Sequence, residues 1–215
     1  MEKEKAQKDS IDQLNQIKAM MEESSKFISL SGLSGVMAGI TALAGAAYGY
    51  FVIKSNLDDS LYDGFYFSLN SITVSVFWQL LIAAAITLIV AVSFGFLFTL
   101  QKAKKKGQSM WGKTSQRLLI NLMIPLIAGG VFSLALVYHG LFGLIAPVTL
   151  IFYGLSLLNA SKYTLRDIRN LGILEIVLGL VASFYIGYGI LFWAIGFGIL
   201  HIIYGGLMYF KYDRA

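Results

Sequence analysis

Polar and apolar positions along this chain fall into long blocks instead of alternating every few residues. From Phe27 to Ile53 run 27 residues without a charge, more than the roughly 20 that a helix needs to cross a hydrocarbon core. Val74 to Leu100 forms a second such block, and Leu118 to Tyr138 and Leu141 to Asn159 follow, with His139-Gly140 between them. The last block, Leu171 to Phe210, holds 40 residues, too many for one crossing, and Gly187-Tyr188-Gly189 near its middle supplies a turn. The pattern predicts an all-α fold, a polytopic membrane helix bundle of six transmembrane helices arranged as three hairpins. Their expected bounds are 27–53, 74–100, 118–138, 141–159, 171–186 and 189–210, with 211–215 a cytoplasmic tail.

The polar blocks set the orientation. Residues 1–26 carry five lysines and six acids, yet Ile11, Leu14, Ile17 and Met20 or Met21 recur as one helical face requires, and Ser10 with Gln13 fits a capping box. This predicts a short amphipathic cytoplasmic helix, with residues 10–26 the part that docks a cytoplasmic protein partner. It does not read as a cleaved signal peptide, because the apolar stretch after it far exceeds an h-region. With the N-terminus inside, sixteen of the seventeen Lys and Arg residues fall on the cytoplasmic side and Lys54 alone outside. Basic residues near span ends govern insertion, so both termini are expected in the cytoplasm.

Composition narrows the picture further. Only 13% of residues are charged and 57% are hydrophobic, against roughly 25% charged in soluble domains. The excess of basic residues flanks apolar spans, so it points to orientation rather than to nucleic acid. There is no cysteine, hence no disulfide framework or thiolate metal site, and no cofactor or metal is expected.

One motif match is deceptive. Gly107-Gln108-Ser109-Met110-Trp111-Gly112-Lys113-Thr114 fits the phosphate-loop pattern letter for letter, but that chemistry needs a preceding strand in an α/β domain, where a membrane helix and a lysine run stand instead. Nucleotide binding is therefore not expected. Lys102, Lys104, Lys105, Lys106, Lys113 and Arg117 are read as contacts to anionic headgroups.

Glu175 alone among the acids interrupts an apolar block, and an acid inside a membrane helix is a functional candidate by default. With Tyr188 as the turn, Glu175 lies thirteen residues before it and His201 thirteen after it, so antiparallel helices bring the two to one depth. The readings open are an interfacial acid, a structural hydrogen bond, a proton relay and a ligand contact. Pro125 frees the carbonyl of Asn121 and should kink helix 3, which adds Asn121 as a candidate pocket residue; Pro147 suggests a second kink. Ser31, Gly35 and Gly39 recur at steps of four, as do Gly45 and Gly49, and let another helix approach closely, within the chain or as a homodimer seam. Asp58, Asp59 and Asp63 among aromatic residues read as an outer interfacial segment rather than a calcium loop. Ile151-Phe152-Tyr153-Gly154 matches Ile202-Ile203-Tyr204-Gly205, which suggests that the last two hairpins are related.

The stretch FISLSGLSGVMAG from Phe27 to Gly39, after Ile17-Lys18-Ala19-Met20-Met21-Glu22, resembles the start of an uncharacterised family of bacterial multi-pass inner-membrane proteins. The resemblance covers the first fifth of the chain and implies a bacterial inner membrane, with no activity attached. No H-E-x-x-H or G-x-S-x-G pattern supports an enzyme. Two functions remain in view: a regulatory or structural membrane component that docks a cytoplasmic partner, and a small-solute or ion transporter using an intramembrane Glu-His site.

Overall fold

Where charge-free stretches end, the helices do not. The computed structural model describes residues 27, 30–56, 74–105 and 111–214, so the N-terminal helix, the Asp58–Phe67 segment, Lys106 and residues 107–110 of the phosphate-loop match lie outside it. Six helical rods make up the described chain: α1 (Gly32–Asn56), α2 (Val74–Lys105), α3 (Lys113–Tyr138), α4 (Ile145–Ala160), α5 (Arg166–Ala182) and α6 (Ile186–Asp213). No strand occurs among the described residues. Five of these rods are long and apolar enough to cross a membrane, that of α4 counted with its flanking turns as Phe142–Tyr163. At 17 residues, α5 rises about 26 Å and is the short one.

Several bounds move from those expected. Lysines do not stop α2, which continues through Lys102 to Lys105: Lys104 and Lys105 are exposed and reach water from a helix that has not yet ended, while Lys102 turns inward. Likewise α3 begins at Lys113 and α5 at Arg166. Gly112 precedes α3 in extended conformation (φ −73°, ψ 165°), so Gly-Lys-Thr does open a helix, but the rod before it is helical too. The expected turn at Gly187-Tyr188-Gly189 is instead the first turn of α6, and the chain reverses at Ser183–Tyr185. Between α3 and α4, Gly140 supplies the left-handed residue (φ 75°) of a Schellman close. Leu141 N–H reaches Leu136 O at 2.8 Å and Gly140 N–H reaches Val137 O at 3.0 Å.

Both prolines are accommodated. Pro147 falls in the first turn of α4, where no intrahelical donor is required, so it is a starting residue and not the mid-helix break expected. Pro125 does sit inside α3. Asn159 of α4 donates to the Asn121 carbonyl at 2.9 Å, replacing the bond that proline cannot make.

Small residues decide which rods touch. α1 packs on α2 and on α6, and α4 packs on α3 and on α5, which leaves α2 and α3 on opposite flanks. On α6, a Cβ at Gly198 would strike the side chain of Leu43, and one at Gly205 would lie 2.5 Å from the backbone of Val36. Gly154 of α4 and Gly172 of α5 approach reciprocally, each hypothetical Cβ 2.6 to 2.8 Å from the other's carbonyl oxygen. Gly179 meets the Pro147 carbonyl in the same way, at 2.9 Å, so α5 runs antiparallel along α4. In lipid, such backbone approach replaces the hydrophobic drive available in water.

Candidate functional site

α5 brings Glu175 to the interior, with no measurable exposure. Facing it on α6 is His201, at the point where a π-helical stretch, Ala194–Leu200, gives way to the α-helical segment His201–Met208. The imidazole Nδ1 lies 3.5 Å from Glu175 Oε1. That same Nδ1 is 3.0 Å from the Gly196 carbonyl oxygen, five residues back along the wide turn, and Nε2 is 2.8 Å from the hydroxyl of Tyr153 on α4. Gly196 leaves room for the carboxyl: a Cβ there would lie 2.5 Å from Glu175 Oε2 and 2.5 Å from Leu150 Cδ2, and those side-chain ends would have to shift. Phe197 closes one side, with ring centres 4.9 Å from Tyr153 and 4.9 Å from Trp193.

The hydrogen bonds assign the ring. A carbonyl can only accept, so Nδ1 carries a proton toward Gly196, and Nε2 is engaged with the Tyr153 hydroxyl, from which it accepts when the imidazole is neutral. Both ring nitrogens are thereby used. Neither oxygen of Glu175 has a hydrogen-bond partner among the described residues. The carboxyl is enclosed and close to the imidazole, yet it receives no bond from it.

Equal counts from Tyr188 suggested the Glu175–His201 pairing, but the real turn lies earlier, at Ser183–Tyr185. The two side chains still meet, His201 Nδ1 at 3.5 Å from Glu175 Oε1, with unequal counts on the two sides of that turn. Tyr153 and Gly196 were not singled out as site residues in the sequence. Tyr153 stood only in the Ile-Phe-Tyr-Gly match, and Gly196 was one of many glycines.

The other sequence candidates lie elsewhere. Asn121 is not near Glu175; its side chain donates to Arg117 O of its own helix at 2.8 Å. Gly35 and Gly39 pack on α6 against Gly205 and Gly198, Gly45 on Thr87 of α2, and Gly49 makes ordinary contacts to Leu80 and Ile190, all within one chain. Ser31 instead joins a polar latch at the other end of α1. Its hydroxyl donates to Asp213 Oδ2 at 3.1 Å, beside the Gly32 N–H at 2.9 Å. Lys102, expected among headgroups, is buried there: it forms an ion pair with Asp213 and donates to the Leu30 carbonyl at 2.8 Å. Lys104, Lys105, Lys113 and Arg117 are exposed.

Set beside known proteins, the chain matches no family model, no curated protein and no solved structure, so the reading of this site rests on its own geometry.

Proposed function

We propose that this protein is a proton-coupled transporter of a small solute or ion, crossing the membrane six times with both termini on the basic side, and that Glu175 is its protonation site. The observation that carries the reading is the unbonded, fully enclosed carboxyl of Glu175. A purely structural acid would be expected to accept a bond from the imidazole, but Gly196 and Tyr153 already occupy both ring nitrogens. What remains is an acid in an apolar interior with no structural return, and such groups concentrate where protons or ions are handled. An ionised carboxylate there lacks any donor, so in the resting site Glu175 carries its own proton beside His201. When the site opens to one aqueous face the carboxyl releases that proton, and it takes up another when the site opens to the opposite face.

The π-helical stretch supports the same reading. Such segments appear frequently at functional sites, and this one ends at His201. The alternative, a component that docks a cytoplasmic partner, depends on residues 10–26, which lie outside the described chain.

The test is flux in proteoliposomes. With a pH gradient imposed, the wild-type protein should dissipate it in the presence of a transported solute, and Glu175→Gln should not, while unfolding in detergent at nearly the wild-type temperature. Equal flux for wild type and Glu175→Gln across a panel of solutes would refute the proposal, as would a wild type with no proton flux under any condition.

A further inference from the structure

We infer that the cleft between the end of α4 and the start of α5 binds the phosphodiester of an anionic phospholipid. The cleft, of about 530 Å³, is lined by Leu158, Ser161, Lys162, Thr164, Arg166 and Arg169. Three cations thus face one concavity whose lining includes no acid. The nearest acid in sequence, Asp167, does not line the cleft and is engaged by Lys211 at 3.1 Å and the Tyr212 hydroxyl at 2.7 Å. The ion pairs found among the described residues join Lys102 to Asp213 and Lys211 to Asp167, and neither involves Lys162, Arg166 or Arg169.

The floor of the cleft is held in place. Ser161–Tyr163 forms a 3-10 turn, the Ser161 hydroxyl donates to Leu158 O at 2.7 Å, and the Thr164 hydroxyl donates to Phe27 O at 2.7 Å. The Phe27 N–H in turn reaches Tyr163 O at 2.8 Å. Above this floor α5 starts at Arg166, and its first turns place Arg166 and Arg169 along the lining of the cleft. An anion is the ligand such a cleft suits, and arginine favours phosphate oxygens in particular.

Position selects lipid as the source of that phosphate. The cleft sits where two apolar helices end, at the bundle end that carries every described Lys and Arg except Lys54, and Leu158 gives it an apolar wall. Basic pockets between membrane helices at that depth take up anionic headgroups.

Native mass spectrometry and thermal unfolding of the full-length protein in neutral detergent, titrated with phosphatidylglycerol, phosphatidylcholine or inorganic phosphate, test the inference. Wild type should retain phosphatidylglycerol and be stabilised by it, with little response to phosphatidylcholine or inorganic phosphate. The triple variant Lys162→Gln, Arg166→Gln, Arg169→Gln should bind phosphatidylglycerol about tenfold to a hundredfold more weakly, whereas Lys104→Gln with Lys105→Gln should bind as wild type does. Because these side chains are exposed, the variants should fold. Undiminished binding by the triple variant would overturn the proposal, and so would equal loss in the α2 control, which would mean general surface charge. Saturation by inorganic phosphate at similar concentrations would also overturn it, since the glycerol and acyl parts would then contribute nothing. A further overturning result is a large gain in lipid binding from Glu22→Gln with Glu23→Gln, which would make the chain's own acidic segment the occupant.

Discussion

Removing Asp213 should destabilise the protein more than removing both Asp213 and its partner. At the start of α1 Asp213 accepts from the Ser31 hydroxyl and the Gly32 N–H and forms an ion pair with the Lys102 ammonium. In Asp213→Ala the ammonium of Lys102 stays buried with only the Leu30 carbonyl, 2.8 Å away. Breaking a buried pair from one side costs about 3–5 kcal/mol. Both side chains are one-tenth exposed, so water relieves part of the penalty and about 3 kcal/mol is the expected loss. Lys102→Met leaves the carboxylate with two donors at a helix N-terminus, a favourable place for negative charge, and should cost about 1–2 kcal/mol. The double variant loses the cap and the hydroxyl bond but strands no charge, for roughly 1–2 kcal/mol. Denaturant unfolding of the four forms in mixed micelles gives the cycle. If the two single losses simply add in the double variant, the ion pair does not exist in the folded protein and the latch is wrong.

Two further substitutions address the site and the α3–α4 seam. Gly196→Ala places a methyl group against Glu175 Oε2 and Leu150 and should cost about 1–3 kcal/mol as overpacking; the loss should shrink when Glu175→Ala is added, and an undiminished loss in that thermal-unfolding cycle would separate Gly196 from the carboxyl. Asn159→Ala should cost about 1–3 kcal/mol by stranding the Asn121 carbonyl, and Pro125→Ala should restore most of it by returning an intrahelical donor; failure of that rescue, read by the same unfolding assay, would show that the Asn159 bond does not matter.

Much of the helical layout was legible because charge is excluded from the spans, and that exclusion is a property of sequence alone. What misled was reading the first lysine as the end of a helix. α2 runs on through Lys102 because that lysine has a partner at the far end of the chain, and no local pattern announces a pairing with Asp213. Glycine spacing in α1 suggests a close-packed face but cannot name what fills it; Gly35 and Gly39 lie against α6 and Gly45 against α2. The Ile-Phe-Tyr-Gly and Ile-Ile-Tyr-Gly match gained physical content: Gly154 lies against the backbone of α5 and Gly205 against that of α1, the same packing task in two places. Glu175 stood out as the one acid in an apolar block. The role of Tyr153 was not legible, since a tyrosine in a membrane span is common and only the fold brings its hydroxyl to His201.

The central claim is that Glu175 holds and exchanges a proton, and infrared difference spectroscopy tests it most directly. Spectra of the protein in lipid, recorded as pH is stepped and repeated in deuterated water, report carboxylic acid and carboxylate groups separately. A carboxylic C=O band that changes with pH, shifts on deuteration and is absent from Glu175→Gln is the result the account requires. Identical difference spectra for wild type and Glu175→Gln over the whole pH range would contradict it.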